Sequence, residues 1–276
     1  MRISETVFIF SSFWFMTACE QADHLGKSQE NQDVTAGPGI DVNSTPLDWT
    51  SKQTLEIGKP GDPGYEVIQV IEGDIEVDSS ILDIELHDRQ YHTTHLVTGS
   101  TIKIVGSTER FTRLPTRERE ALEEAVDDYN ALGLDIEFEL QFKSGAPYGG
   151  IFVGRNRYTR SRSGGIAGFP RKTKHSGTLP HDEIKLFDND EFSYDVLVHV
   201  IKHEIGHCIG LRHNDWMDRR SCSTDPDPER QSPPGAIHIP GTDLDRDGGS
   251  VMNACFSRFS RGRFSPDDIT ALRYMY

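Results

Sequence analysis

Between His203 and His213 the chain reads HEIGHCIGLRH, and the HExxHxxGxxH pattern in it constrains the local fold more than any other stretch. On a helix advancing about 100° per residue, His203 and His207 lie one turn apart on the same face, so both imidazoles can reach one point. Glu204 stands beside them. A helix continuing straight would carry later residues away. Gly210, however, can adopt the positive φ that ends a helix and turns the chain back, bringing in His213 as a third imidazole. Three converging imidazoles form a metal-ligand set that suits zinc.

Three protein ligands leave one position of a tetrahedral zinc open, whereas a structural zinc is normally closed by four. Zinc lowers the pKa of water in that position to roughly 7, and Glu204 is placed to accept its proton and pass it to a leaving amine. The implied chemistry is hydrolysis of an amide, with one Zn2+ as cofactor and the metal polarising the carbonyl. One alternative is a non-catalytic, zinc-stabilised surface binding protein, but such a site has no use for a carboxylate beside an open position. Another is a zinc hydrolase of a non-protein amide, which calls for a closed pocket where a peptidase calls for an open groove.

The formal net charge of −15 over 276 residues excludes nucleic acid as a partner unless basic residues are concentrated in one patch. The densest basic stretch, Arg155 to Lys174, reads as a solvated loop, with a substrate-binding face as the alternative. Near the N-terminus, Thr6 to Ala18 is an apolar run of thirteen residues, too short to span a bilayer and suited to a signal-peptide core. Residues 1–18 are therefore expected to be a signal peptide. Met16-Thr17-Ala18-Cys19 resembles the bacterial lipoprotein signal, in which cleavage precedes the cysteine and Cys19 becomes a lipid anchor to the membrane. A conventionally cleaved signal peptide and an uncleaved anchor are the alternatives. All three place the remainder outside the cytoplasm.

Residues 19–50 are polar and read as a flexible tether. From residue 100 to 276 a catalytic domain is expected. Residues 51–99 form an N-terminal segment, either a propeptide or extra strands of that catalytic domain. No cysteine lies between Glu20 and His207, so no thiolate of this segment can occupy the open metal position. Within the catalytic domain Thr101–Val105, Asp135–Phe142, Gly150–Val153 and Glu183–Phe187 read as strands, and Ala167–Phe169 as an edge strand ended by Pro170. A helix is expected over Thr116–Leu132, capped by Thr116 and stopped by Gly133. Ser193 caps the metal-site helix. Ser265-Pro266-Asp267-Asp268 starts a last helix, with Ile269, Leu272 and Tyr276 facing inward.

Setting Cys19 aside, Cys208, Cys222 and Cys255 allow three pairings in a compartment that permits disulfides. Cys208 follows a metal ligand on a helix that has to be buried, which favours Cys222 with Cys255. Asp243, Asp245 and Asp247, followed by Gly248, look like the first half of a calcium loop and make Ca2+ a second candidate ion. The bidentate Glu of a complete loop is missing, because Ala254 stands at the twelfth position.

The extended zinc motif, Ser250-Val251-Met252 and the closing FSPDDITALRYMY together resemble the metzincin clan of zinc endopeptidases, the last stretch being similar to the final helix of matrixin catalytic domains. HEIGHCIG followed by Asn214-Asp215-Trp216 looks most like the bacterial dual-action HEIGH metallopeptidases. The resemblance covers roughly residues 100–276. It implies an α+β zincin domain with a twisted, mostly parallel sheet, an antiparallel edge strand, an active-site helix and a C-terminal helix. By it, His203, His207 and His213 bind zinc, Glu204 is the general base, and Met252 supports the metal from below without ligating it. It also implies a peptide or protein substrate lying along an edge strand, for which Ala167-Gly168-Phe169 is the candidate. The gap between His213 and Met252 is longer than in matrixins, and no tyrosine follows Met252 where astacins and serralysins carry one.

Overall fold

Apolar residues at alternate positions in TIKIVGS and EFELQFK give two neighbouring strands that pair in parallel, with Ile102 opposite Phe138 and Ile104 opposite Leu140. Parallel neighbours need a crossover, and the intervening TREREALEEAVDDYN supplies it as a helix. The computed structural model describes residues 53–57, 61, 65–71, 74–76, 91–157, 163–175, 177–216, 219–222, 235–242 and 247–276, all within one unit, Gly39–Tyr276. The expected signal peptide, the tether, Cys19, Asp243 and Asp245 lie outside the described residues.

In chain order the elements are β1 (Gln53–Ile57), β2 (Glu66–Ile71), β3 (Ile75–Glu76), β4 (Tyr91–His92), β5 (Thr101–Ser107), α1 (Thr116–Asn130), β6 (Glu137–Lys143) and β7 (Ile151–Arg155). They continue as β8 (Gly165–Gly168), β9 (Arg171–Lys172), β10 (Thr178–Leu179), β11 (Glu183–Leu186), α2 (Tyr194–Ile209), β12 (Ile237–His238) and α3 (Pro266–Met275). Eight strands form one mixed sheet in the order β1-β2-β3-β8-β11-β7-β5-β6. The pairs β3·β8, β11·β7, β5·β7 and β5·β6 are parallel, while β1·β2, β2·β3 and β8·β11 are antiparallel. The class is α+β with a mostly parallel sheet, as expected.

α1 buries Ala121, Leu122, Ala125, Val126 and Tyr129, and these join Leu197, Val200, Ile201 and Ile205 of α2 and the inner face of the sheet in one core. α2 is buried from Val196 to Ile209, as a helix with apolar residues on every side must be. Two end assignments differ from the sequence reading. Thr116 is the first helical residue of α1 and not its cap, because Pro115 takes the cap position and its fixed φ suits a chain entering a helix. The inner face of α3 is Asp268, Ala271, Leu272 and Met275; Leu272 faces inward as expected and Tyr276 packs on the core with its hydroxyl donating to the Ile209 carbonyl, whereas Ile269 is only half-buried.

Two further differences bear on the site. Arg155 is not in a solvated loop: it ends β7, buried between Glu118, 3.3 Å away, Asp188 at 3.0 Å and Asp190 at 2.9 Å. β8 runs antiparallel to β11 but is not at the sheet edge, because β3 pairs with its other side, setting Ile75 opposite Ala167 and Glu76 opposite Gly168. Phe169 lies just past the strand, its ring edge-on to His207 at 5.6 Å. The N-terminal strands thus continue the catalytic sheet, packing Leu55, Ile68 and Val70 on Ile166 and Phe187.

Candidate metal centre

α2 begins at Ser193, whose hydroxyl accepts the Val196 N–H, and ends at Gly210, with φ of 111°. That left-handed residue lets the chain reverse at once, which a side chain would resist. Past the turn His213 is fully buried against the two helical imidazoles. The Nε2 atoms of His203 and His207 are 2.9 Å apart, and each is 3.3 Å from Nε2 of His213.

Second contacts fix the rings. His203 Nδ1 donates to the Val251 carbonyl and His207 Nδ1 to the Leu211 carbonyl, both at 2.8 Å. Each proton therefore sits on Nδ1, and Nε2 presents a bare lone pair. Burial, then the neighbouring His203 and His213, hold the His207 pKa well below its usual value, so this imidazole is neutral as a ligand must be. Lone pairs this close repel unless a cation lies between them. Two ligands about 2.0 Å from a tetrahedral ion are roughly 3.3 Å apart, and the observed spacings match. The three histidines fit zinc.

A fourth oxygen joins them. Asp74, in the turn before β3, places Oδ2 3.2 Å from His213 Nε2 and 3.4 Å from His203 Nε2. These four residues are the metal-ligand group among the described residues. Burial alone would raise the Asp74 carboxyl, but the contacts with His213 and His203 outweigh it and hold it well below the usual carboxylate range.

Glu204 is buried beside the histidines, against β8. A Cβ on Gly165 would lie 2.6 Å from Glu204 Oε1 and 2.9 Å from Cδ, so the bare backbone there makes room for the carboxylate. Met252 Sδ fills the space that a side chain on Gly206 would take, on the opposite side of the helix turn. The turn bearing Met252 is held by Asp268, whose carboxylate accepts from Ser250 Oγ at 2.6 Å, Val251 N at 2.9 Å and Ser265 N at 3.0 Å. A line of contacts therefore runs from α3 through Val251 to His203. The loop past His213 is tied down by Asp215, which accepts the Ala254 N–H at 2.8 Å and the Ser221 N–H at 2.7 Å. Those bonds flank a disulfide between Cys222 and Cys255, and Cys208 is a buried free thiol. Asp247 Oδ1 accepts the Gly249 N–H within a turn.

The histidines and Glu204 were legible from local spacing. Asp74 was not, since a lone acid in the N-terminal segment carries no pattern, and Asp268 was read only as part of a helix start.

Residues 71–276 match the family described as dual-action HEIGH metallo-peptidases. Among solved structures, two of myroilysin are similar over 66% of this chain, one at 12% identity over 82% of its own length, the other at 14% over 86%, each with a TM-score of 0.40. The metalloproteinase-II structure from Bacteroides fragilis is similar over 76% of this chain and 62% of its own, at 11% identity and a TM-score of 0.35. No curated protein matches. The family match alone takes in every element from the end of β2 to α3, with the three-histidine turn inside it: this chain belongs to the dual-action HEIGH metallo-peptidase family.

Proposed function

We propose that the protein is a zinc-dependent endopeptidase, with Glu204 as general base, anchored outside the cytoplasm by a lipid on Cys19. The observation that carries the enzymatic part is the convergence of three imidazole Nε2 atoms within 3.3 Å of one another beside the buried carboxylate of Glu204. His203, His207 and His213 would hold the ion. When bound, zinc supplies Lewis acidity that polarises a carbonyl and makes hydroxide available near neutral pH. Glu204 takes a proton from the attacking water and returns it to the leaving nitrogen. The carbonyls of Val251 and Leu211 hold the tautomers that keep Nε2 available.

The shape around Glu204 favours a polypeptide substrate cut internally. A cavity of about 210 Å³ bordered by Gly165, His203 and Glu204 adjoins one of about 470 Å³ bordered by His199, Phe259 and Arg261, and Cys255 and Phe256 line both. Through that shared wall the space beside Glu204 continues past Phe256 instead of closing there. The test is incubation of the zinc-loaded chain with internally quenched peptides, with products identified by mass spectrometry. Internal cuts that stop on chelation, return with zinc and vanish in Glu204→Ala without loss of bound zinc are expected. Cleavage by Glu204→Ala at the parent rate would remove the general base from the scheme.

The location rests on the signal-like N-terminus, with the Cys222–Cys255 disulfide in support, since such bonds persist in oxidising compartments. Cys19→Ser should move the protein from the membrane fraction to the soluble one, and unchanged membrane retention would count against lipidation.

A further inference from the structure

We propose that Asp74 is a fourth protein ligand to the zinc in the full chain, and that β3, backed by β2 and β1, fills the strand position beside β8 that a peptide substrate needs. The full chain would therefore keep only a low basal activity, from the minor fraction of molecules in which this segment is displaced. The ligand assignment stands on geometry alone, while the blocking role rests on the peptidase reading.

Asp74 Oδ2 lies as near to His203 and His213 Nε2 as those nitrogens lie to one another, and all four ligand atoms fall within 4.8 Å, close enough to meet on one ion. Its other oxygen, Oδ1, is buried with no hydrogen-bond partner among the described residues, a costly state for a carboxylate that a bound cation relieves. A carboxylate is a common zinc ligand, and once it closes the set to four, no position remains for the water on which Glu204 acts.

The backbone completes the block. The Ala167 N–H donates to the Asp74 carbonyl at 3.0 Å, and β3 takes the pairing side of β8. Without β1, β2 and β3, β8 would be the edge to which a peptide adds a strand. The segment is clamped as well as paired. Lys185 of β11 is buried with Nζ 2.7 Å from Glu76, 3.1 Å from Glu183 and 3.6 Å from Glu66. Burial alone would lower this ammonium, but the carboxylates of Glu183, Glu76 and Glu66 outweigh it and hold its pKa above the usual value. Two of the three come from the segment, so its departure removes two of the three carboxylates around Lys185 and leaves only Glu183 of the same strand.

The test uses the full chain loaded with cobalt(II) or zinc, and acetohydroxamate as a small chelating probe of the fourth position. Asp74→Asn keeps the side-chain shape and removes the charge. It should change the visible spectrum of the cobalt protein and tighten acetohydroxamate binding by about tenfold or more, since a site competent in a minor fraction of molecules binds weakly in that proportion. Peptide cleavage should rise in parallel. Lys185→Gln, which leaves Asp74 intact, should tighten the probe by a smaller factor, and it carries the test if Asp74→Asn does not fold. Identical cobalt spectra and probe affinities in parent and Asp74→Asn overturn the ligand assignment. Equal cleavage by both overturns the blocking role. An opened site that cleaves no peptide supports the ligand assignment and fails the peptidase reading instead.

Discussion

Glu204 and Gly165 are coupled by a single missing carbon. A Cβ at Gly165 would fall 2.7 Å from Glu204 Cγ, so an alanine there cannot be seated with the Glu204 side chain where it stands. Gly165→Ala, made alongside Asp74→Asn, should lower kcat by about a hundredfold, within the range that a positioned general base contributes, while zinc content by metal analysis stays at one per chain. Asp268 acts further out: it holds Ser250 and Val251, and the Val251 carbonyl orients His203. Asp268→Ala should weaken zinc by about tenfold, the lower end of what outer-shell partners cost, measured by competition with a coloured chelator. These two residues mark the limit of the sequence reading at this scale. The spacing of His203, Glu204, His207 and His213 is local and obeys helix geometry. Gly165 and Asp74 matter because of neighbours that only strand pairing brings near.

At the scale of elements, periodicity predicted the strands and helices well where one face is dry, as in β5, β6 and α1, and missed what depends on pairing. β8 was read as an edge because a short run ended by proline looks like one, and nothing in the run shows that β3 joins it. α1 also carries a buried acid. Glu118 is 3% exposed, and burial, only partly offset by Arg155, pushes its pKa from 4.5 to about 7. A carboxyl whose folded pKa is raised adds stability that is fully present below its unfolded value and lost as pH rises through the folded one. Between pH 4.5 and 7 this group should make stability fall by at most about 1.4 kcal/mol per pH unit. His181 and His199, depressed to about 4 and about 3, contribute the opposite slope, stability lost as pH drops through their unfolded value of 6.5. The check is therefore the difference in urea midpoint between parent and Glu118→Gln, which should widen in favour of the variant from pH 5 to 7.

For the molecule as a whole, the long loop after His213 is closed by one covalent bond spanning 33 residues. Replacing Cys222 and Cys255 by alanine should cost about 3–4 kcal/mol by the loop entropy released to the unfolded chain, read as a lower denaturant midpoint. Order of assembly is dictated by the sheet. β5, β6 and α1 are neighbours in sequence and can form early, whereas β3 must find β8 across about ninety residues and needs β8 already set against β11. The N-terminal hairpin therefore arrives last. On the blocking role proposed above, any chain recovering from denaturant with its first strands not yet docked would present an unblocked metal site to neighbouring copies. Renaturation with zinc withheld until the hairpin has docked should spare the protein from digesting itself.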